Sequence, residues 1–364
     1  MKRFLAVFFS ALLLCSVTIL SSCGNTGPSG TSGPSSVTVG VSMPTQSLQR
    51  WNQDGANIKQ QLQAKGYQVD LQYANNDVNT QVQQLENMIT KGDKILVITA
   101  IDGSALTNVL QDAASNKVRV IAYDRLIMNT PNVDYYVSFD NYKVGVMQGQ
   151  YIESRLGLKE GKGPFHVELF AGDPADNNAL YFNNGAMSIL KPYIASGKLI
   201  VTSSQVDFAK VAIATWDSSK AQARMDNLIT AYYAKGTKLD AILSPNDSLA
   251  IGIVASLKSN GYGTVDKPYP ILTGQDCDIP NVKAIIAGQQ SMSIFKDTRK
   301  LAAQAIEMVN ALEQGKAAPV NDTKSYNNGV KAVPTYLLTP IYVDKSNYKS
   351  ALIDSGYYTA AQLQ

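Results

Sequence analysis

The sequence predicts an α/β protein built as two doubly wound parallel-sheet lobes, and three observations carry that prediction. From residue 37 onward, short runs rich in Val, Ile and Leu alternate with amphipathic segments, the pattern of parallel strands covered by helices on both faces. Ten such runs are too many for one small sheet, whereas 364 residues suffice for two domains of roughly 150 to 200 residues each. The polar Asp140-Asn141-Tyr142 interrupts two otherwise continuous series, which places the break near Phe139 to Tyr142.

In chain order the strand candidates are 37–43, 69–74, 94–100, 118–124, 135–140, 165–172, 199–206, 239–245, 269–276 and 291–295. Helical segments separate most of them. Val82, Leu85, Met88 and Ile89 follow the three-and-four spacing of one apolar face, with Asn79 or Thr80 as the expected cap.

The first 36 residues read differently. Lys2 and Arg3 precede an apolar run and then Leu20-Ser21-Ser22-Cys23, the layout of a secretion signal over 1–22 that ends in a bacterial lipobox. Cleavage before Cys23 leaves that thiol to carry lipid, and the Gly/Ser/Thr/Pro-rich 24–36 has the composition of a flexible tether. The expected location is therefore extracytoplasmic, lipid-anchored to the cell membrane.

This reading also disposes of the charge. The formal +3 comes from 32 basic against 29 acidic residues; loss of Lys2 and Arg3 leaves 30 against 29, so the body is nearly neutral and offers no nucleic-acid footprint. Of three cysteines, Cys15 leaves with the signal, Cys23 is taken by lipid, and Cys277 has no partner, so no disulfide is expected.

In doubly wound sheets ligands bind beyond the carboxyl ends of the strands. Those ends are polar here: Gln49-Arg50-Trp51, Tyr123-Asp124-Arg125, the run from Gly172 to Asn178, Thr215-Trp216-Asp217, Ser244-Pro245-Asn246-Asp247, Thr273-Gly274-Gln275-Asp276-Cys277-Asp278 and Phe295-Lys296-Asp297. Arginine forks, carboxylates and amides satisfy neighbouring hydroxyls, and an indole face packs on the C–H face of a pyranose, so the inventory suits a monosaccharide. Plainer readings stay open: helix caps for Asp217, Asp247, Asp278 and Asp297, a surface site for Arg50 or Lys296, and a core position for Trp51.

The stretches LQRW, YDR, GDPADNNA, SPND, TGQD and SMSIFKD, with SYNNGVKAVPTYLLTPIYVD, resemble the D-xylose-binding and multiple-sugar-binding periplasmic proteins of bacterial ABC importers, from about Val37 to the C-terminus. The resemblance implies a type I periplasmic-binding-protein fold, two Rossmann-like lobes joined by a three-crossing hinge. It implies lobes of 37–140 plus 297–333 and 141–296 plus 334–364, closing on a sugar.

By the same resemblance Arg50, Trp51, Asp124 and Arg125 contact the sugar from the first lobe. Asn177, Asn178, Trp216, Asn246, Asp276 and Lys296 do so from the second, Trp51 and Trp216 by stacking. The Trp216 loop is closer to the multiple-sugar type, which weighs against strict xylose selectivity. The implied partners are a monosaccharide (D-xylose first, then D-glucose, D-galactose or L-arabinose), two permease subunits and a cytoplasmic ATPase, with the binder itself a monomer needing neither cofactor nor metal. A sugar-sensing subunit for a histidine kinase or chemoreceptor is the alternative.

A glycosidase could use Asp124, Asp176 and Asp276 as paired carboxylates. The chain, however, carries one histidine, His166, within a strand candidate, and no GxSxG, HExxH, CxxC or phosphate-loop motif. A DNA-binding regulator of similar shape would need an N-terminal helix-turn-helix where this chain has a signal and tether.

Overall fold

A computed structural model describes residues 37–364. The signal, Cys23 and the tether lie outside these residues. Among the described residues no helix is long and apolar enough to cross a membrane.

The elements run in order β1 (Thr38–Met43), α1 (Gln49–Ala64), β2 (Gln68–Tyr73), α2 (Val78–Lys91), β3 (Ile95–Ile98), α3 (Thr107–Ser115), β4 (Arg119–Tyr123), β5 (Tyr135–Phe139), α4 (Asn141–Leu156), β6 (Phe165–Leu169) and α5 (Asn177–Ala195). They continue with β7 (Leu199–Val201), α6 (Phe208–Val211), α7 (Ser218–Leu228), β8 (Ala241–Leu243), α8 (Asp247–Ser259), β9 (Ile271–Leu272), α9 (Ile279–Ile286), β10 (Met292–Phe295), α10 (Thr298–Glu313), β11 (Thr335–Leu338) and β12 (Ile341–Asp344). All ten expected strands are present, and eight of them end earlier than expected, β1 and β10 being the exceptions. In α2 the cap is Asp77, which accepts from Thr80 N at 2.6 Å, and not Asn79 or Thr80.

The first sheet is parallel throughout, in the order β11-β5-β4-β3-β1-β2. Strand alternation assigns its two cores. Ile95, Val97, Ile121 and Tyr123 pack toward α1 and α10, while Leu96, Ile98, Val120 and Ala122 pack toward α2 and α3. The second sheet is parallel in the order β7-β6-β8-β9, and a bridge from Gln275 to Ile294 continues it to β10, which pairs antiparallel with β12. With that bridge the second order repeats the first, except that its last strand, β12, is antiparallel where β11 is parallel.

Close packing of α4 on α5 positions the second half. A Cβ on Gly145 would stand 1.9 Å from Phe182 O, and one on Gly185 would stand 2.1 Å from Tyr142 O, so only glycine permits this approach.

The chain passes between sheets after β5, after β10 and after β11. The expected last boundary at 333/334 is too early. Thr335–Leu338 pairs in parallel with Tyr136–Phe139, so the chain leaves the first sheet only after Leu338. This four-residue edge strand is held by pairing with a distant segment, a register that its own short pattern does not announce.

Candidate functional site

Between the carboxyl ends of the two sheets lies a cavity with about 320 Å³ free of atoms, lined by Leu48, Arg50, Trp51, Asp124, Arg125, Asp176, Asn178, Phe182, Trp216, Asn246, Gln275, Asp276 and Lys296. A larger groove of about 1860 Å³ runs past Phe165, Tyr233 and Ile271 at the amino ends of the second sheet's strands. Its charged residues, Arg155, Lys162, Lys238, Asp240, Asp266 and Lys267, are exposed or half-buried, whereas those of the smaller cavity are buried or nearly so and meet one another, so the smaller one is the candidate site.

Arg50 sits in the first turn of α1 and is nearly buried. Its Nε donates to Asp54 Oδ2 at 3.0 Å, its Nη2 to Asp124 Oδ2 at 3.0 Å, and its Nη1 to Asp276 Oδ1 at 3.2 Å. Burial opposes its charge, but the surrounding Asp124, Asp54 and Asp276 hold its pKa well above the ordinary value. Asp124 loses solvation as well. The facing Arg50, Lys296 and Arg125 outweigh that loss and keep its carboxyl below the ordinary 3.8.

Asp124 and Asp276 follow β4 and β9, and both have positive φ, 59° and 102°. A non-glycine residue held there is strained unless its surroundings fix it. The Asp124 carbonyl accepts from the Tyr136 hydroxyl at 2.7 Å, Ser138 Oγ at 2.8 Å and Asn178 Nδ2 at 2.8 Å. Asp276 N donates to Ile294 O at 2.8 Å. These bonds aim both carboxylates into the cavity.

Lys296 Nζ lies 3.1 Å from Asp276 Oδ1 and 3.8 Å from Asp124 Oδ2. Arg125 Nη1 donates to Ala100 O at 3.0 Å, and its Nε pairs with Asp176 Oδ2 at 2.9 Å. Asp176 also caps α5, accepting from Asn178 N at 3.0 Å. Burial raises its pKa above the ordinary value against the pull of Arg125.

The aromatic groups are arranged less simply than expected. The Arg50 and Arg125 guanidiniums lie over the Trp51 ring, 4.2 and 5.2 Å from its centroid, so the indole packs on cations as well as facing the cavity. Trp216 meets Phe182 edge to face at 6.3 Å. A Cβ on Gly172 would fall 1.9 Å from the Trp216 ring, so that glycine makes room for the indole. Both indole N–H groups are buried and have no hydrogen-bond partner among the described residues.

Nine of the ten expected contact residues line the cavity. Asn177 does not; it occupies the first position of α5, half-buried, and the helix turns it away from its neighbour Asn178. Asn178 lines the cavity, but its amide ties the halves together: Nδ2 donates to Asp124 O, and Oδ1 accepts from Asn141 Nδ2 at 2.9 Å. Asn246 Oδ1 caps α8 through Leu249 N at 3.0 Å, which leaves its amide nitrogen for the cavity.

Asp217 and Asp297 are helix caps, as one reading allowed. Asp247 and Asp278 are not. Asp247 is fully buried, accepting from Gln290 Nε2, Ser293 Oγ and Asp278 N; Asp278 makes no side-chain cap bond. Asp176, Phe182, Gln275 and Leu48 were missed as liners. Phe182 stands four residues after Asn178, and therefore on the same helical face, a spacing the sequence displays.

Residues 39–317 match the family model of the periplasmic binding protein domain. The chain is 59% identical over 327 residues, 90% of this chain and 92% of the relative, to the multiple sugar-binding periplasmic receptor ChvE of Rhizobium radiobacter. It is 38% identical over 323 residues, 88% of this chain and 90% of the relative, to the D-xylose-binding periplasmic protein of Haemophilus influenzae. A crystal structure of an ABC transporter solute binding protein from Clostridium phytofermentans with bound β-D-glucose superimposes with a TM-score of 0.87 at 57% identity, covering 90% of this chain and 100% of that one. The chain belongs to the periplasmic binding protein family and has its type I fold.

Proposed function

We propose that this protein is the extracytoplasmic substrate-binding component of an ABC sugar importer and holds an uncharged monosaccharide between its two sheets. One observation carries the reading: Arg50 shares its guanidinium between Asp124 and Asp276, so carboxylates from both halves converge on one small cavity. A hydroxyl both donates and accepts. Asp124 and Asp276 would accept from the sugar, while Arg125, Lys296 and the Asn246 amide would donate to it. Trp216, Phe182 and the rim of Trp51 supply apolar surface for its C–H face.

Binding would close the two lobes about the three crossings, near Asp140, Asp297 and Pro340. Closure desolvates the sugar and strengthens each charge-assisted bond, and the closed form is what a permease with its cytoplasmic ATPase would accept. The stronger likeness to a protein named for multiple sugars than to a D-xylose-binding one, together with the likeness to a glucose-bound structure, supports a set of aldoses. D-xylose and D-glucose head that set, with D-galactose and L-arabinose beside them. Lipid on Cys23 would hold the body at the membrane.

Isothermal titration of protein freed of bound sugar, against pentoses and hexoses, tests the reading. Heat with several aldoses is expected, and none with any monosaccharide would overturn it. The receptor name of the first relative favours a second role, presenting bound sugar to a sensor. Uptake of labelled sugar in a deletion strain separates the two: lost uptake is import, retained uptake with a lost sugar response is sensing.

A further inference from the structure

Behind the cavity lies a charged group that the binding roles leave unused. Asp54, one turn after Arg50 on α1, is fully buried and does not line the cavity. Its Oδ2 accepts from Arg50 Nε at 3.0 Å and lies 3.0 Å from Nη2, while its Oδ1 accepts from the Tyr123 hydroxyl at 2.5 Å. Tyr123 ends β4, immediately before Asp124, and is also fully buried. The pair thus ties α1 to β4 and occupies one edge of the Arg50 fork. Nη2 also donates to Asp124, and Nη1 is left to Asp276 across the cavity. A guanidinium on a flexible stem must be held before it can offer donors at fixed angles.

We propose that Asp54, braced by Tyr123, is a positioning residue for the sugar site, its ionised carboxylate fixing the Arg50 fork at the angle that serves both halves of the cavity. The inference rests on the sugar-binding reading above. The groups facing Asp54 are Arg50 on its own helix, Tyr123 at the end of β4 and Asp124 just after it, Tyr73 from β2, and Tyr357 from the C-terminal segment. Tyr73 and Tyr357 both titrate above the ordinary phenol range, raised chiefly by burial, so neither is charged near neutrality. For Asp54, burial outweighs the attraction of Arg50; Asp124 adds to burial, the Tyr123 hydrogen bond opposes it, and the carboxyl is pushed up to about 6. Protonation below that pH removes the charge that holds the fork, so sugar affinity falls as pH drops through about 6.

The test is isothermal titration of the mature chain with D-glucose and D-xylose from pH 8 to pH 5. The wild-type protein should bind about tenfold more weakly at pH 5 than at pH 7.5, with a midpoint near 6. Asp54→Asn should bind about tenfold more weakly at pH 7.5 and lose the acid limb. Tyr123→Phe keeps the carboxylate but removes a bond to its ionised form, so its midpoint should move to higher pH, and this variant decides the matter if Asp54→Asn does not fold. Asp278→Asn should retain the limb. The inference is overturned if Asp54→Asn keeps the wild-type pH profile, if the Tyr123→Phe midpoint stays or moves lower, or if the limb vanishes in Asp278→Asn. A wild-type chain that binds neither these nor any other monosaccharide at any pH would instead remove the sugar-binding reading, and this inference with it.

Discussion

In the first half of the cavity Asp124 follows β4 and is paired at home, because Arg50 of the same half reaches it at 3.0 Å with Asp54 behind. In the second half Asp276 follows β9 in the corresponding place, yet its arginine comes from the other side, at 3.2 Å. Two arginines face two aspartates in the first half. The second sets Asp176, Asp276 and Asp278 against the single Lys296, with the buried Asp247 beneath. The same topology therefore produces one half that is balanced and another that is short of cations. The shortage is made good across the cavity, by Arg50 on Asp276 and Arg125 on Asp176. Each half is thus complementary in charge to the other.

Removing the shared cation should break this comparison most severely. Arg50→Ala leaves three nearly buried carboxylates without their common partner, and denaturant unfolding should show a loss of about 3 to 5 kcal/mol. Asp276→Ala and Arg125→Ala each remove one cross-cavity partner; titration should show sugar affinity weaker by about 1.5 to 3 kcal/mol, and unchanged affinity in both would mean that the cavity is not the site. Gly172→Ala drives a methyl into the Trp216 ring, so stability should fall by about 1 to 3 kcal/mol and sugar affinity should fall as well. The sugar-induced change in Trp216 fluorescence, read in a Trp51→Phe background, should shrink with it.

The buried carboxylates of both halves also predict a direction with pH. Burial, with neighbouring carboxylates adding to it, pushes Asp278 up to about 7 and Asp247 well above 3.8, while Asp54 stands at about 6. Each folded pKa exceeds its unfolded value, so between about pH 4 and pH 7 the folded state binds more protons and stability falls as pH rises. Thermal melting without sugar should show a lower Tm at pH 8 than at pH 5, with Asp278→Asn flattening the slope; a Tm that rises over this range would contradict the account. The smallest effect belongs to Asp217, whose Oδ1 accepts from Ser219 N and Lys220 N. Asp217→Ala should cost about 0.5 to 1 kcal/mol of stability and leave sugar affinity alone, which would separate a cap from a contact in the Trp216 loop.

Much of this was legible in the chain. Buried parallel strands write themselves as apolar runs, so all ten expected strands were found, and the polar groups at their ends marked the cavity. Strand β11 was not legible as a member of the first sheet, because a four-residue edge strand owes its place to pairing with β5 across nearly 200 intervening residues. Asn177 and Asn178 are chemically identical, and only the turn of α5 separates the one that lines the cavity from the one that does not. Trp51 read as a stacking surface, and nothing local told that two guanidiniums would lie over it.

The sequence by itself determined the two-sheet α/β plan, the positions of the strand ends and the chemical types that gather there, because periodicity and residue chemistry are local properties. The tertiary structure decided which charges share a partner, which asparagine faces inward, and that Asp54 and Tyr123 stand behind Arg50. Those outcomes depend on distances between residues far apart in the chain, and such distances exist only once each sheet has formed and the strand ends of the two have met.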